Sequence, residues 1–428
     1  MKTARITRNN HFEGQVKIPA SKSYSQRALA LALISMEKTT IKNLGNSDDE
    51  IAALTLIKSL GKTVTSHNDI TEISDGIGSF GIPETSVFSC GESGLATRMF
   101  TPILANSNYP IEITGHGSIL NRPMNFFHDV FEKLNVGFES QNGKLPFHIS
   151  GPIVPKSTEL DGSLSSQFIT GMIYGFVASP LLRNEKLEIK NLKSRPYVEL
   201  TLDVLREFGV EIELTNENQI CFNGPYELKC TDISVEDDWS SASFLLVAAA
   251  LYGEISIDNL NITSKQADKA ILEALKLFGA EISIGSTIKV RKKENRSFEF
   301  DATDCPDLFP PLAVLAAKAN GVSKIKGISR LKHKESDRAN VLKNELGKLG
   351  VKIELNSTSD EMIINPTSKV ISGKIDGNKD HRIVMAAAIL GLNSENFVEI
   401  TGAEAISKSF PEFFNILNLC LKNKIELK

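Results

Sequence analysis

The sequence predicts a mixed α/β (α+β) protein of two similar domains, each made of three consecutive units. Two observations predict it. An apolar helix ending in Leu or Phe, usually followed by Gly and a short alternating strand, recurs about every seventy residues. A second series, a small polar or acidic cluster opening an Ala/Leu-rich helix, alternates with the first at the same period.

In chain order, ARITR and GQVKIP within residues 1–20 alternate as strands. The second series opens near Ser21, Gly91, Ser163, Asp237, Asp304 and Asp380, with residue types that suit helix N-caps. The first series closes at Leu60-Gly61, Leu134-Asn135, Phe208-Gly209, Phe278-Gly279, Leu349-Gly350 and, degenerately, Leu421-Lys422. Its glycines stand where a helix C-cap takes a left-handed residue. VEIEL, AEISI and VKIEL, after the third, fourth and fifth closures, read as strands. The stretch from Asp380 to the C-terminus is too short for a full unit, so residues 1–20 are expected to complete the sixth. Six units divide into domains 21–236 and 237–428 plus 1–20. The chain would cross between them near Ala20 and Glu236, a double hinge whose closure would shield a reaction from water.

Composition narrows the class. The 428 residues have a globular 41% hydrophobic and 23% charged content, and a net charge of −4 supplies no general pull toward nucleic acid or membrane. The N-terminus lacks an apolar signal core, and no run approaches the ~18 apolar residues of a membrane span. Five scattered cysteines lack zinc or disulfide spacing and favour a reducing cytoplasm.

Anion binding must then come from local clusters, and the helix starts supply them. Lys22, Ser23 and Arg27, Arg98 beyond Gly94, Ser165-Ser166-Gln167, and His381-Arg382 all lie in a first helical turn or one turn inside. A helix N-terminus offers free N–H groups and about half a positive charge. Arginine adds a planar fork for carboxylate or phosphate, and glycine lets a ligand approach the backbone. Arg122, Lys334, Arg338 and Lys408 add charge from other segments. Other motifs fail. GIGSFG at 76–81 is followed by Pro83 where a dinucleotide-binding helix would start. No phosphate-binding GxxxxGK[ST] loop or metal-ligand spacing occurs, so neither nucleotide cofactor nor metal is expected.

The strings SKSYSQRA, SSQF, SRPY, HKESDR, DHR and KSFPEFF resemble the 5-enolpyruvylshikimate-3-phosphate synthase family, across all six units and in order. The resemblance implies the enolpyruvyl-transferase fold, two domains each of three βαβαββ units. It implies transfer of the enolpyruvyl group of phosphoenolpyruvate to the 5-hydroxyl of shikimate 3-phosphate by addition and elimination, without a cofactor, in a cytoplasmic monomer. By motif position, shikimate 3-phosphate falls to Lys22, Ser23, Arg27, Ser165, Ser166, Gln167, Ser194, Tyr197, Asp307 and Lys334. Phosphoenolpyruvate falls to Lys22, Gly94, Arg122, Gln167, Arg338, Arg382 and Lys408. Asp307 is the expected base for the 5-hydroxyl, and Glu335 and Lys22 the groups moving the proton on and off carbon.

Leu95 and Met99 replace frequent Thr and Pro, and are expected to bear on the helix start at Gly94. Arg330 stands where some members place an asparagine, so that substrate contact is not carried over. The sister transferase acting on UDP-N-acetylglucosamine would have Lys-Asn near position 22 and a cysteine before Arg122. Lys22-Ser23 and GHGSILNR argue against it.

Overall fold

The computed structural model of the chain describes residues 2–9, 11–74, 86–229 and 232–428. GIGSFG, Pro83 and Cys230 lie outside them. The chain forms two compact units, residues 20–236, and residues 1–19 with 237–428.

Six small sheets share one pattern, in which a first strand pairs parallel with a second, which continues into antiparallel neighbours. Within one sheet the chain runs Ser86–Ser89, a helix, Ile111–Thr114, a second helix, then the hairpin Gly137–Gln141 and Lys144–Ser150. That is a βαβαββ unit, and the four-stranded pattern recurs in every sheet but that of Thr158–Asp161, which has three strands.

At the two crossings the pattern exchanges partners. Phe12–Val16 pairs parallel with Gly253–Asp258, and Asp232–Ser234 pairs parallel with Thr39–Lys42. The N-terminal segment therefore does not serve the sixth unit alone. Thr3–Thr7 completes the sixth sheet against Phe397–Thr401, whereas Phe12–Val16 completes the fourth. The strand expected at VEIEL also differs, since only an isolated bridge between Leu214 and Ile220 forms there. The Arg195 guanidinium donates to the carbonyls of Leu214 and Thr215, taking acceptors that a longer ladder would use.

Unit 20–236 contains helices α1 (Lys22–Ile34), α2 (Asp48–Ser59), α3 (Gly94–Leu104), α4 (Phe126–Lys133), α5 (Ser166–Val177) and α6 (Arg195–Glu207). The other unit contains α7 (Trp239–Tyr252), α8 (Ile271–Phe278), α9 (Phe309–Ala317), α10 (Arg338–Gly347), α11 (His381–Gly391) and α12 (Phe413–Leu419). Every residue of α3, α9 and α11 is buried, as is all of α7 but Tyr252 and all of α5 but Gln167. Helices enclosed on all sides are apolar all round, which is why these segments are rich in Ala, Leu and Ile rather than two-faced.

Close backbone approach fixes α3 against α5. A side chain on Gly171 would collide with the carbonyl of Arg98, and one on Gly175 would lie 2.7 Å from Pro102 Cβ. The two contacts advance together along both helices, so α3 and α5 run parallel and begin at the same end. The C-caps behave as the composition predicts. Gly61, Asn135, Gly209, Gly279 and Gly350 all adopt positive φ after their helices. The fifth helix start is later than expected. A 3₁₀ turn at Pro306–Leu308 precedes α9, because prolines at 306, 310 and 311 delay regular α-helical hydrogen bonding.

Candidate active site

In unit 20–236 the starts of α1, α3, α5 and α6 are joined by side chains. Ser93, the cap of α3, accepts from Ala96 N and donates to Gln26 Oε1 on α1. Thus α3 begins at Gly94 with a regular cap, and the buried Leu95 and Met99 do not displace its start. Arg98 donates to Gln167 Oε1 at 2.7 Å, tying α3 to the first turn of α5, which Ser165 caps and Ser166 opens. Lys22, first residue of α1, is paired at 2.9 Å with Asp49 on α2, whose side chain is 5% exposed. The Arg122 guanidinium lies directly over Gly94, its Cζ 2.7 Å from where a Cβ would be.

Arg27 is 1% exposed. It donates to the carbonyls of Ser23 and Tyr197 and to the hydroxyls of Thr170 and Thr201, and lies over the Tyr197 ring. Among the described residues no carboxylate pairs with it. Burial lowers its pKa, with Tyr174 and Tyr197 acting in opposition. A buried cation held only by neutral oxygens is costly, and it is a natural seat for an anion. Ser194, which precedes α6, adopts φ 55° and ψ 44°, a left-handed conformation costing roughly 1–2 kcal/mol for a non-glycine residue.

In the other unit the cluster centres on Asp307. Its Oδ1 accepts from Arg338 at 2.8 Å and pairs with Lys334 at 3.2 Å, and its Oδ2 accepts from Arg382 at 3.2 Å. Burial pushes the carboxyl upward, but Arg382, Lys334 and Arg338 outweigh it and hold the group well below the ordinary carboxylate range. Arg338 is wholly buried and already donates to Asp307, to Glu335 at 2.5 Å and to both oxygens of Asp380. Burial opposes its charge, and the three carboxylates more than restore it. Burial lowers Lys334 to about 8, against the pull of Asp307. Arg382, one residue inside α11, also donates to Ser240 Oγ of α7 at 2.5 Å. Lys408 ends the 3₁₀ segment Ala403–Lys408 and is 4% exposed.

Each unit thus gathers its own share of the expected residues. Lys22, Ser23, Arg27, Gly94, Arg122, Ser165, Ser166, Gln167, Ser194 and Tyr197 lie at or beside helix starts in one. Asp307, Lys334, Glu335, Arg338 and Arg382 form a single charge network in the other. Sequence reasoning missed Asp49, Thr170 and Thr201. Asp49 reads as an ordinary acid in a first helical turn, and the threonines sit within apolar or mixed helical patterns. It also missed Lys334 as a group titrating near neutrality.

A protein-family model for EPSP synthase (3-phosphoshikimate 1-carboxyvinyltransferase) matches residues 6–417. The chain belongs to the EPSP synthase family. The 3-phosphoshikimate 1-carboxyvinyltransferase of Clostridium novyi is 35% identical over 418 residues, covering 95% of this chain and 94% of that protein. The enzyme of the same name from Methanocorpusculum labreanum is 31% identical over 411 residues, covering 95% and 96%. A solved EPSP synthase from Acinetobacter baumannii superposes with a TM-score of 0.82 at 25% identity, covering all of both chains. The fold is therefore the two-domain enolpyruvyl-transferase fold, and the function is that of a 3-phosphoshikimate 1-carboxyvinyltransferase of aromatic biosynthesis. Its small-molecule substrates are shikimate 3-phosphate and phosphoenolpyruvate, and the UDP-N-acetylglucosamine alternative is not favoured. Among the described residues no helix is long and apolar enough to cross a membrane.

Proposed function

We propose that the helix starts of residues 20–236 and the Asp307 network each hold substrate anions, and that Asp307, Glu335 and Lys22 move the protons. One observation carries this reading: a single carboxylate, Asp307, is shared by three cations. In that state it is ionised but a weak base. Substrate carboxylate and phosphate compete for Lys334 and Arg382, and each cation drawn away restores basicity to Asp307. Anion binding and base activation are then one event.

Arg27, with Ser23, Ser165, Ser166, Gln167, Ser194 and Tyr197, is assigned to shikimate 3-phosphate. Lys334 and Asp307 also serve that substrate, and Lys22 and Gln167 serve both. Arg122 over Gly94, with Arg382 and Lys408, is assigned to phosphoenolpyruvate. Arg338 joins them chiefly by holding Asp307 and Glu335, since its N–H groups already serve three acids. In the addition step the 5-hydroxyl oxygen attacks C2 of phosphoenolpyruvate, Asp307 takes the hydroxyl proton, and a proton reaches C3 from Glu335 or Lys22. In elimination the C2–O bond to phosphate breaks, the departing phosphate takes up the proton held by Asp307, and a methyl proton returns to whichever of Glu335 and Lys22 supplied it. The enzyme works as a cytoplasmic monomer with no nucleic-acid or membrane partner, a reading supported by its net charge of −4 and dispersed cysteines.

The test is phosphate release from phosphoenolpyruvate, which should require shikimate 3-phosphate and not proceed with UDP-N-acetylglucosamine. Asp307→Ala and Lys22→Ala should abolish it while leaving the circular dichroism spectrum unchanged. Wild-type turnover in either variant removes that residue from the mechanism.

A further inference from the structure

Asp268 lies in the 3₁₀ turn Ala267–Ala270 and is 0% exposed. The turn is clamped to the start of α7 by Gln266, whose Oε1 accepts from Trp239 N at 3.0 Å and whose Nε2 donates to the Asp237 carbonyl at 2.9 Å. Lys269 Nζ is drawn off to the carbonyls of Ile262 and Ser264 and does not neutralise the acid beside it. The groups facing Asp268 come from three other segments of the same unit. They are Asp238 and Ser240 of α7, Cys305 and Asp307 around the 3₁₀ turn before α9, and Arg382 of α11. Neither carboxyl oxygen of Asp268 makes a hydrogen bond of normal geometry among the described residues. A wholly buried, unsatisfied carboxyl is expensive and calls for a reason.

The reason lies one bond away. Arg382 Nη1 donates to Ser240 Oγ at 2.5 Å, and a guanidinium is only a donor, so the Ser240 proton must point elsewhere. The acceptor beside it is Asp268, which the Ser240 hydroxyl already influences as a near neighbour. The same Arg382 donates through Nη2 to Asp307 Oδ2. The guanidinium is therefore held from behind by Ser240 and faces the base in front.

We propose that Asp268 is a positioning residue which, through Ser240, orients Arg382 toward phosphoenolpyruvate and Asp307. This rests on the assignment of Arg382 to that substrate. Ionised, Asp268 accepts a hydrogen bond from the Ser240 hydroxyl and leaves the serine lone pairs to Arg382. Protonated, it releases that anchor. Burial foremost, then the charge of Asp307, raises its carboxyl to about 6, with Arg382 and Ser240 opposing, so the anchor is set at neutral pH and slackens in acid.

The test measures KM for phosphoenolpyruvate and kcat from pH 5 to 8 in the wild type, Asp268→Asn and Ser240→Ala. The wild-type KM should rise about tenfold as pH falls through about 6. In both variants KM should already be raised about tenfold at pH 7.5 and lose most of this pH dependence, with kcat at saturation nearly unchanged. A wild-type KM profile in either variant, whatever its melting temperature, overturns the proposal. If Asp268→Asn does not fold, Ser240→Ala decides. Arg382→Lys separates the two readings. An unchanged KM there sinks the assignment of Arg382 itself, whereas a raised KM beside a wild-type Ser240→Ala profile sinks only the role of Asp268.

Discussion

The Arg122 guanidinium occupies the space that a side chain on Gly94 would need, with Cζ 2.7 Å from the Cβ position. Glycine at the first residue of α3 thus lets a cation sit over the free N–H groups of a helix start, adding full charge to partial charge. Gly94→Ala must push Arg122 aside. Its KM for phosphoenolpyruvate should rise at least tenfold, with the KM for shikimate 3-phosphate within about twofold. Steady-state kinetics with each substrate varied checks this, and equal effects on both would contradict the assignment of Arg122.

Arg27 is buried against hydroxyls and carbonyls, with no acid beside it among the described residues. Replacing it by Met removes a desolvated charge, so the substrate-free protein should be about as stable as the wild type or more so. Shikimate 3-phosphate should raise the wild-type melting temperature but not that of Arg27→Met, because ligand linkage requires binding to the native state. Differential scanning fluorimetry with and without the ligand reads both outcomes.

Arg338 behaves in the opposite way. It is wholly buried with Asp307, Glu335 and Asp380 on its N–H groups. Arg338→Met removes the buried cation that Asp380 and Glu335 face, while Asp307 keeps Lys334 and Arg382, and should cost roughly 3–5 kcal/mol. Adding Asp380→Asn, which keeps an acceptor for the start of α11, should recover part of the loss. Urea denaturation of both variants checks the coupling.

Lys334 gives a pH signature. Its native pKa of about 8 lies below the unfolded value of roughly 10.4, so between these limits the unfolded chain binds more protons. Its contribution to stability therefore rises with pH through this window, by at most about 3 kcal/mol. The stability of the wild type relative to Lys334→Met should climb between pH 8 and 10. A flat difference in paired urea titrations would refute the lowered ammonium. The subtraction cancels buried groups such as Cys90, pushed up to about 12, which work in the other direction.

Much of the site was legible because its signals are local. Ser93, Ser165 and Asp380 are caps whose side chains accept from backbone N–H donors no more than three residues away. The left-handed residues that close the helices at 61, 135, 209, 279 and 350 were likewise readable from Gly and Asn after an apolar run. Lys22 and Arg382 were recognisable as cations near helix starts, and Arg122 as a cation from another segment. Their partners were not. Nothing near Asp49 marks it as the buried acid for Lys22, and nothing near Asp268 places it behind Arg382, more than a hundred residues away.

The sequence by itself determined the two-helix period, the helix starts and ends, and the type of charge each start carries, because periodicity and capping act over a few residues. Only the tertiary structure decided that Phe12–Val16 joins Gly253–Asp258 rather than the sixth sheet. It alone decided that Arg338 is consumed by three acids while Arg27 has none among the described residues. Those outcomes depend on which distant segments exclude water from one another, and a buried charge takes its energy from neighbours that the order of residues does not place beside it.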